Sequence, residues 1–269
     1  MKMYSGMNTG SRIGKSVSSM LFATVLFAPG AAIQAQENDA KAILKAMSDY
    51  VSSQQTIELT FDSDIEVITP QLEKIQFTNS GKALLSRPDK LYARRAGGYS
   101  DVELFFDGKT VSVFGKDLNG YAQFELAGNL DHLVTALRAG HGVALPGADL
   151  LLSNSYDVLM EGVIEAKHIG QGVIDGDVCE HLAFRNADTD WQLWVQAGEH
   201  PVPRKLVITS KTVNSAPQYS VRIKSWKTDI EPATGAFAFV PPAGVEKLAP
   251  DALIELDELP QGAPTGGMQ

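Results

Sequence analysis

Apolar and polar residues alternate along most of this chain, and the alternation predicts strands. Ile57, Leu59, Phe61, Ile65 and Val67 are interleaved with Glu58, Thr60, Asp62, Asp64 and Glu66. A period of two puts one strand face in a core and the other in water. Further strands are expected at 72–85, 90–95, 102–106, 110–114 and 121–126, then at 162–174, 178–184, 191–196, 204–212 and 219–226. Arg87-Pro88-Asp89, Asp107-Gly108, Asn119-Gly120 and Asp175-Gly176 supply turn chemistry between neighbours. Links this short make an antiparallel meander.

Two stretches change period. Over 39–54, Ile43, Leu44, Met47, Tyr50 and Val51 form one helical stripe, with Asn38 or Asp39 placed to cap it. Over 129–139, Leu130, Leu133, Val134 and Leu137 share a face. Between Gly140 and Gly147 the chain is glycine-rich yet apolar, and Leu150, Leu151, Leu152 and the segment Tyr156 to Met160 continue that character. A surface loop is not this apolar, so the segment must bury itself in something. About eleven strands and two or three helices give an α+β, mostly β domain. Its helices cover one face of a curved antiparallel sheet. No linker and no fixed-period repeat interrupts it.

The amino terminus has a different logic. Lys2, Arg12 and Lys15 precede an apolar run from Val17 to Ala32, and Ile33-Gln34-Ala35 ends in a small residue. That order predicts a secretory signal peptide over residues 1–35, cleaved after Ala35. The strongest apolar core, Met20 to Ala28, is too short to span ~30 Å of hydrocarbon. The expected organisation is therefore a leader, one domain over 36–258, and a disordered tail over 259–269 rich in Gly and Pro. The expected location is the periplasm. Gly10, Gly14, Lys15 and Ser16 mimic a phosphate loop, but the glycine spacing is one residue short and no strand precedes it.

Charge and candidate chemistry narrow the function classes. The 269 residues carry 23 basic and 32 acidic side chains, a net charge of −9, which argues against nucleic-acid binding. The single cysteine, Cys179, excludes an internal disulfide and a multi-cysteine zinc site. His132, His141, His168, His181 and His200 have no metal-ligand spacing. Cys179 and His181 share a strand face, but residues two apart on a strand stand ~6.5–7 Å from each other. That is too far for a catalytic hydrogen bond. No serine-hydrolase or zinc-protease motif occurs. Asp62, Asp64 and Glu66 lack the glycine turn and distal glutamate of a calcium loop. Trp191 and Trp194 must point to opposite faces of one strand. No metal or cofactor is implied.

Certain runs resemble a known family. They are Leu85-Ser-Arg-Pro-Asp-Lys-Leu91, Phe106-Asp-Gly-Lys-Thr110, the run from Val173 to Phe184, Asp190-Trp-Gln-Leu-Trp194 and Pro203-Arg-Lys205. In order and spacing they resemble the predicted periplasmic proteins of domain of unknown function 2092, across nearly all of the chain after the leader. More distantly the chain is similar to the LolA/LolB superfamily of lipoprotein carriers, through Arg87-Pro88, Asp107-Gly108-Lys109-Thr110 and the run from Phe239 to Val245. The first resemblance implies no known activity. The second implies an open antiparallel half-barrel with a helical lid or plug on an apolar concave face. It also implies that Arg87 holds the lid closed. The chain departs from LolB in lacking a lipidation cysteine and from LolA in the hairpins after Gly162.

The groove candidates are Ile57, Leu59, Phe61, Ile75, Phe77, Leu91, Leu104 and Phe106 on strands, with Leu145, Leu150 and Leu151 from the flap. With a lid, they would hold a lipid, acyl chain or lipoprotein. With a plug, they are core, and the protein is a cell-envelope interaction module with a protein partner. A hydrolase is the third reading. It rests on Cys179 and His181 alone.

Overall fold

The computed structural model describes residues 29–141 and 145–250. Most of the expected leader, the 259–269 tail and residues 142–144 of the flap lie outside the described residues.

Helix α1 (Pro29–Ser53) starts well before Asn38 and Asp39, the expected caps. Alanine, glutamine and glutamate carry it towards the amino terminus, and proline fits its first turn. Ala40, Leu44, Met47 and Val51 on this helix are fully buried.

The strands are β1 (Thr56–Ile68), β2 (Lys74–Ser86), β3 (Lys90–Gly97), β4 (Asp101–Phe106), β5 (Thr110–Gly115) and β6 (Gly120–Glu125). After them come α2 (Leu130–His141), a 3-10 turn (Ala148–Leu151) and the short helix α3 (Ser155–Met160). The chain then forms β7 (Glu165–Ile174), β8 (Asp177–Arg185), β9 (Thr189–Gln196), β10 (Pro203–Ser210), β11 (Gln218–Thr228) and β12 (Glu246–Leu248). All join one open sheet in the order β12-β6-β5-β4-β3-β2-β1-β11-β10-β9-β8-β7. Among the described strands, only β12, on β6, is parallel.

Two expected bounds move. Leu72 lies in the β1–β2 turn at φ 66, so β2 begins at Lys74. Gly162 sits at φ 67, and β7 begins at Glu165. Residues 237–242 form no strand. Instead Phe239 lays its ring 5.4 Å from Phe105, 5.9 Å from Phe114 and 5.2 Å from Tyr121 on the outer face. The twelfth strand is the short β12 that follows.

The sheet curls. Asp175, in the β7–β8 turn, pairs with Arg222 on β11. Arg222 points outward, because its neighbours Val221 and Ile223 point into the core. The hairpin tip therefore folds over the convex side. The concave side receives the helices. α1 packs on β7, β8 and β9, and Leu133 and Leu137 of α2 complete the core.

Candidate functional site

Register builds the concave wall. Leu91 on β3, Leu85 on β2 and Ile57 on β1 stand abreast, and Ala93, Ala83 and Leu59 form the next row. Arg95, Gly81 and Phe61 follow, continued by Ile223 on β11. A bulge between Thr60 and Phe61 keeps the β11 side chains on the right faces. Gly81 has to be glycine, because a Cβ there would collide with the Phe61 ring. The opposite face of β1 is wet and bonded: Ser80 and Thr78 donate to Asp62 and Asp64.

The roof is α2 with the 3-10 turn, fastened by three charged groups. Arg138 donates to both Asp149 oxygens at 2.6 and 3.0 Å and to the Leu145 carbonyl at 2.8 Å. Asp131 accepts from the Ser153 amide at 2.9 Å and from its hydroxyl. Arg87 donates from Nη2 to the Leu151 carbonyl at 2.8 Å. It also donates to the carbonyls of Gln54 at 3.1 Å and Val51 at 3.4 Å, at the end of α1. A guanidinium suits a helix carboxyl end, where unpaired carbonyls gather negative partial charge. Burial pushes the Arg87 guanidinium below its ordinary pKa, and Asp131 opposes the shift. The Pro88 carbonyl accepts from the Leu130 amide at 2.9 Å, so the same corner starts α2.

Between wall and roof lies a cavity of about 250 Å³. Leu59, Phe61, Leu91, Leu104, Leu145, Leu150 and Leu151 line it, so the structure brings seven of the groove candidates together. Phe106 is fully buried core and does not reach the space. Ile57 is likewise in the core. Ile75 and Phe77 stand apart. Ile75 is 43% exposed, and Phe77 meets Tyr99 edge-on at 5.4 Å. The reason is length. β1 and β2 run 13 residues each against 8 for β3, so their hairpin projects past the roof.

The strand pattern alone missed other lining residues: Ala83, Ala93, Arg95, Leu137 and Val221. Small side chains on an inward face were the available signal for Ala83 and Ala93. Val221 needed the β1–β11 pairing, which periodicity does not give.

The other candidate chemistry lies elsewhere. Cys179 is fully buried on the convex side, its thiol pushed up by burial. Its Sγ donates to the Asp177 carbonyl at 3.5 Å. His181 instead stacks on Trp194 at 4.1 Å and bonds Gln192 at 2.9 Å. His168 bonds Glu180 at 2.7 Å, and His200 meets the Tyr50 ring at 5.3 Å. Trp191 and Trp194 do take opposite faces. Trp191 is buried against Phe184, and Trp194 lies under Lys205 on the outside. Among the described residues, no helix is long and apolar enough to cross a membrane.

The family model described as predicted periplasmic protein (DUF2092) matches residues 40–249. Uncharacterized protein MJ0687 of Methanocaldococcus jannaschii is 22% identical over 227 residues, covering 81% of this chain and 56% of its own. The chain thus spans about half the length of the curated relative it matches. An uncharacterized conserved protein from Thermus thermophilus aligns at a TM-score of 0.46 and 9% identity, over 78% of this chain and 99% of its own. Lipoprotein LppX of Mycobacterium tuberculosis aligns at 0.44 and 13% identity, over 72% and 98%.

Proposed function

The chain belongs to the DUF2092 family of predicted periplasmic proteins, and from that premise we propose that it binds the apolar chain of a lipid or acylated protein. It works in the periplasm, exported by residues 1–35 with cleavage after Ala35, and it holds or hands on its ligand without covalent chemistry. One observation carries this reading. Beneath α2 and the 3-10 turn a half-open, mostly apolar cleft of about 250 Å³ is left unfilled. A purely structural plug packs to the density of an organic crystal and leaves few voids larger than a water.

Arg87 is the latch. It bonds the roof at Leu151 and the end of α1 in one step. Opening the roof must break the Leu151 bond or bring α1 along.

The test is native mass spectrometry of mature protein purified gently from periplasm, with solvent extraction of what accompanies it. A stoichiometric lipid or acylated peptide is the expected result. A clean apo mass, with no uptake of added palmitate or lysophospholipid, overturns the reading.

A further inference from the structure

The apolar surface of the concave side does not stop where the roof does. Gly147, at the start of the 3-10 turn, sits over β10 and β11: a Cβ there would stand 3.5 Å from Val221 and 3.8 Å from Leu206. Tyr219, the next residue of β11 on that face, still lines the cleft. It pairs with Ile65 on β1, and Ile65 pairs with Phe77 on β2. One row further out, Val67 pairs with Ile75. The Phe77 ring meets Tyr99 edge-on at 5.4 Å. An apolar strip thus leads from the cleft along the projecting β1–β2 hairpin.

The strip comes out into water at its far end. Tyr219, Ile65 and Val67 are buried, but Ile75 is 43%, Tyr99 58% and, in the turn, Leu72 62% exposed. The opposite face of the same hairpin is satisfied. Asp62 and Asp64 accept from Ser80 and Thr78, and Glu66 pairs with Lys74 at 3.0 Å. One wet face is complete and one apolar face is bare, and a contiguous bare patch of this kind marks a binding surface. The cleft it adjoins is small. Its volume of about 250 Å³ lies below the ~300–1,000 Å³ of ordinary ligand pockets. It is also half-open, so an occupant can continue past it.

We propose that the groove has a second, unroofed part on the β1–β2 hairpin, where Phe77, Ile75 and Tyr99 hold the stretch of a long acyl chain that the roofed cleft does not contain. This rests on the ligand-binding reading above and narrows it to long chains. Continuity selects the occupant. Tyr219 belongs to the cleft and to the strip, so one unbroken apolar chain can lie on both. A bilayer fits less well. Asp62, Asp64 and Glu66 stand on the same hairpin, and anionic lipid surfaces attract Lys and Arg, not carboxylates.

Calorimetry on the mature protein tests it with laurate and palmitate, which share a head group and differ by four methylenes. Palmitate should bind at least tenfold tighter, because each methylene taken from water contributes up to roughly fourfold in affinity. The double variant Ile75→Asn with Tyr99→Ser changes two exposed side chains and should bring that ratio close to one. Ile75→Lys alone should reduce it and serves if the double variant folds poorly. Sedimentation velocity on the same samples reports whether a second copy covers the strip instead. Equal affinity for the two probes in the parent, variants that keep the parent's ratio, or a parent dimer that the variants break overturns the unroofed part and leaves ligand binding standing. Failure of both probes to bind overturns both readings.

Discussion

Arg87 and Leu151 are 64 residues apart in sequence and joined by a 2.8 Å hydrogen bond from guanidinium to carbonyl. The bond links the corner after β2 to the roof of the cavity. The same guanidinium reaches the carbonyls of Val51 and Gln54 at the end of α1. Three parts of the fold therefore share one side chain.

Arg87→Ala should loosen the roof more than the sheet. Bonds from a charged donor contribute about 1.5–3 kcal/mol each when their loss strands a partner, though water can reach part of this site. We expect a net loss of about 1–3 kcal/mol by chemical denaturation and faster hydrogen exchange at residues 148–153. Unchanged exchange there removes Arg87 from control of the roof.

Ala93→Phe separates a real void from a filled core. Overpacking a well-filled interior costs about 1–3 kcal/mol. Ala93 faces a space of about 250 Å³, so the variant should melt close to the parent while losing acyl-probe binding at least tenfold. A large drop in melting temperature would mean that the space is already occupied by protein.

Leu44→Ala probes the packing of α1. Leu44 is fully buried, and deleting such a side chain typically costs about 2–5 kcal/mol. Urea unfolding should show a loss in that range. A loss under ~1 kcal/mol would mean that α1 is not a structural part of the concave core.

Alkali should act through Tyr92. Burial, with Glu103 close by, pushes the Tyr92 phenol up to about 12. A pKa raised in the folded state gives stability that is complete below the unfolded value of ~10 and falls as pH climbs towards the folded one. Tyr92→Phe should flatten the loss of stability above pH ~10. Ultraviolet titration of the same variant should lose a tyrosine ionisation near pH 12.

Particular residues show how much of this was legible. The alternation from Ile57 to Val67 set the faces of β1, and Asp107-Gly108 and Asn119-Gly120 set its meander. Trp191 and Trp194 could be assigned to opposite faces from spacing alone. Alternation says which way a side chain points, but not how far the roof reaches, so Ile75 and Phe77 looked like groove residues. β12 has only three residues and one apolar side chain, Leu248, which fits against Gly120. Nothing local announces it. Phe239 was equally silent, because Phe105, Phe114 and Tyr121 come together only when three strands are side by side. Arg95 read as one more strand end until its row partners placed it on the inner face.

The sheet order has a consequence for the birth of the molecule. β1 sits in the middle of the sheet between β2 and β11, and Ile57 pairs with Thr228, a separation of 228 − 57 = 171 residues. A ribosome delivers β1 well over a hundred residues before its second partner. Hairpins on either side can form as they emerge, but the central seam waits for all the chain between β1 and β11, and such distant pairings are slow to find. The nascent chain thus stays incompletely knit, and fit to be threaded through a narrow pore, until β11 has been made.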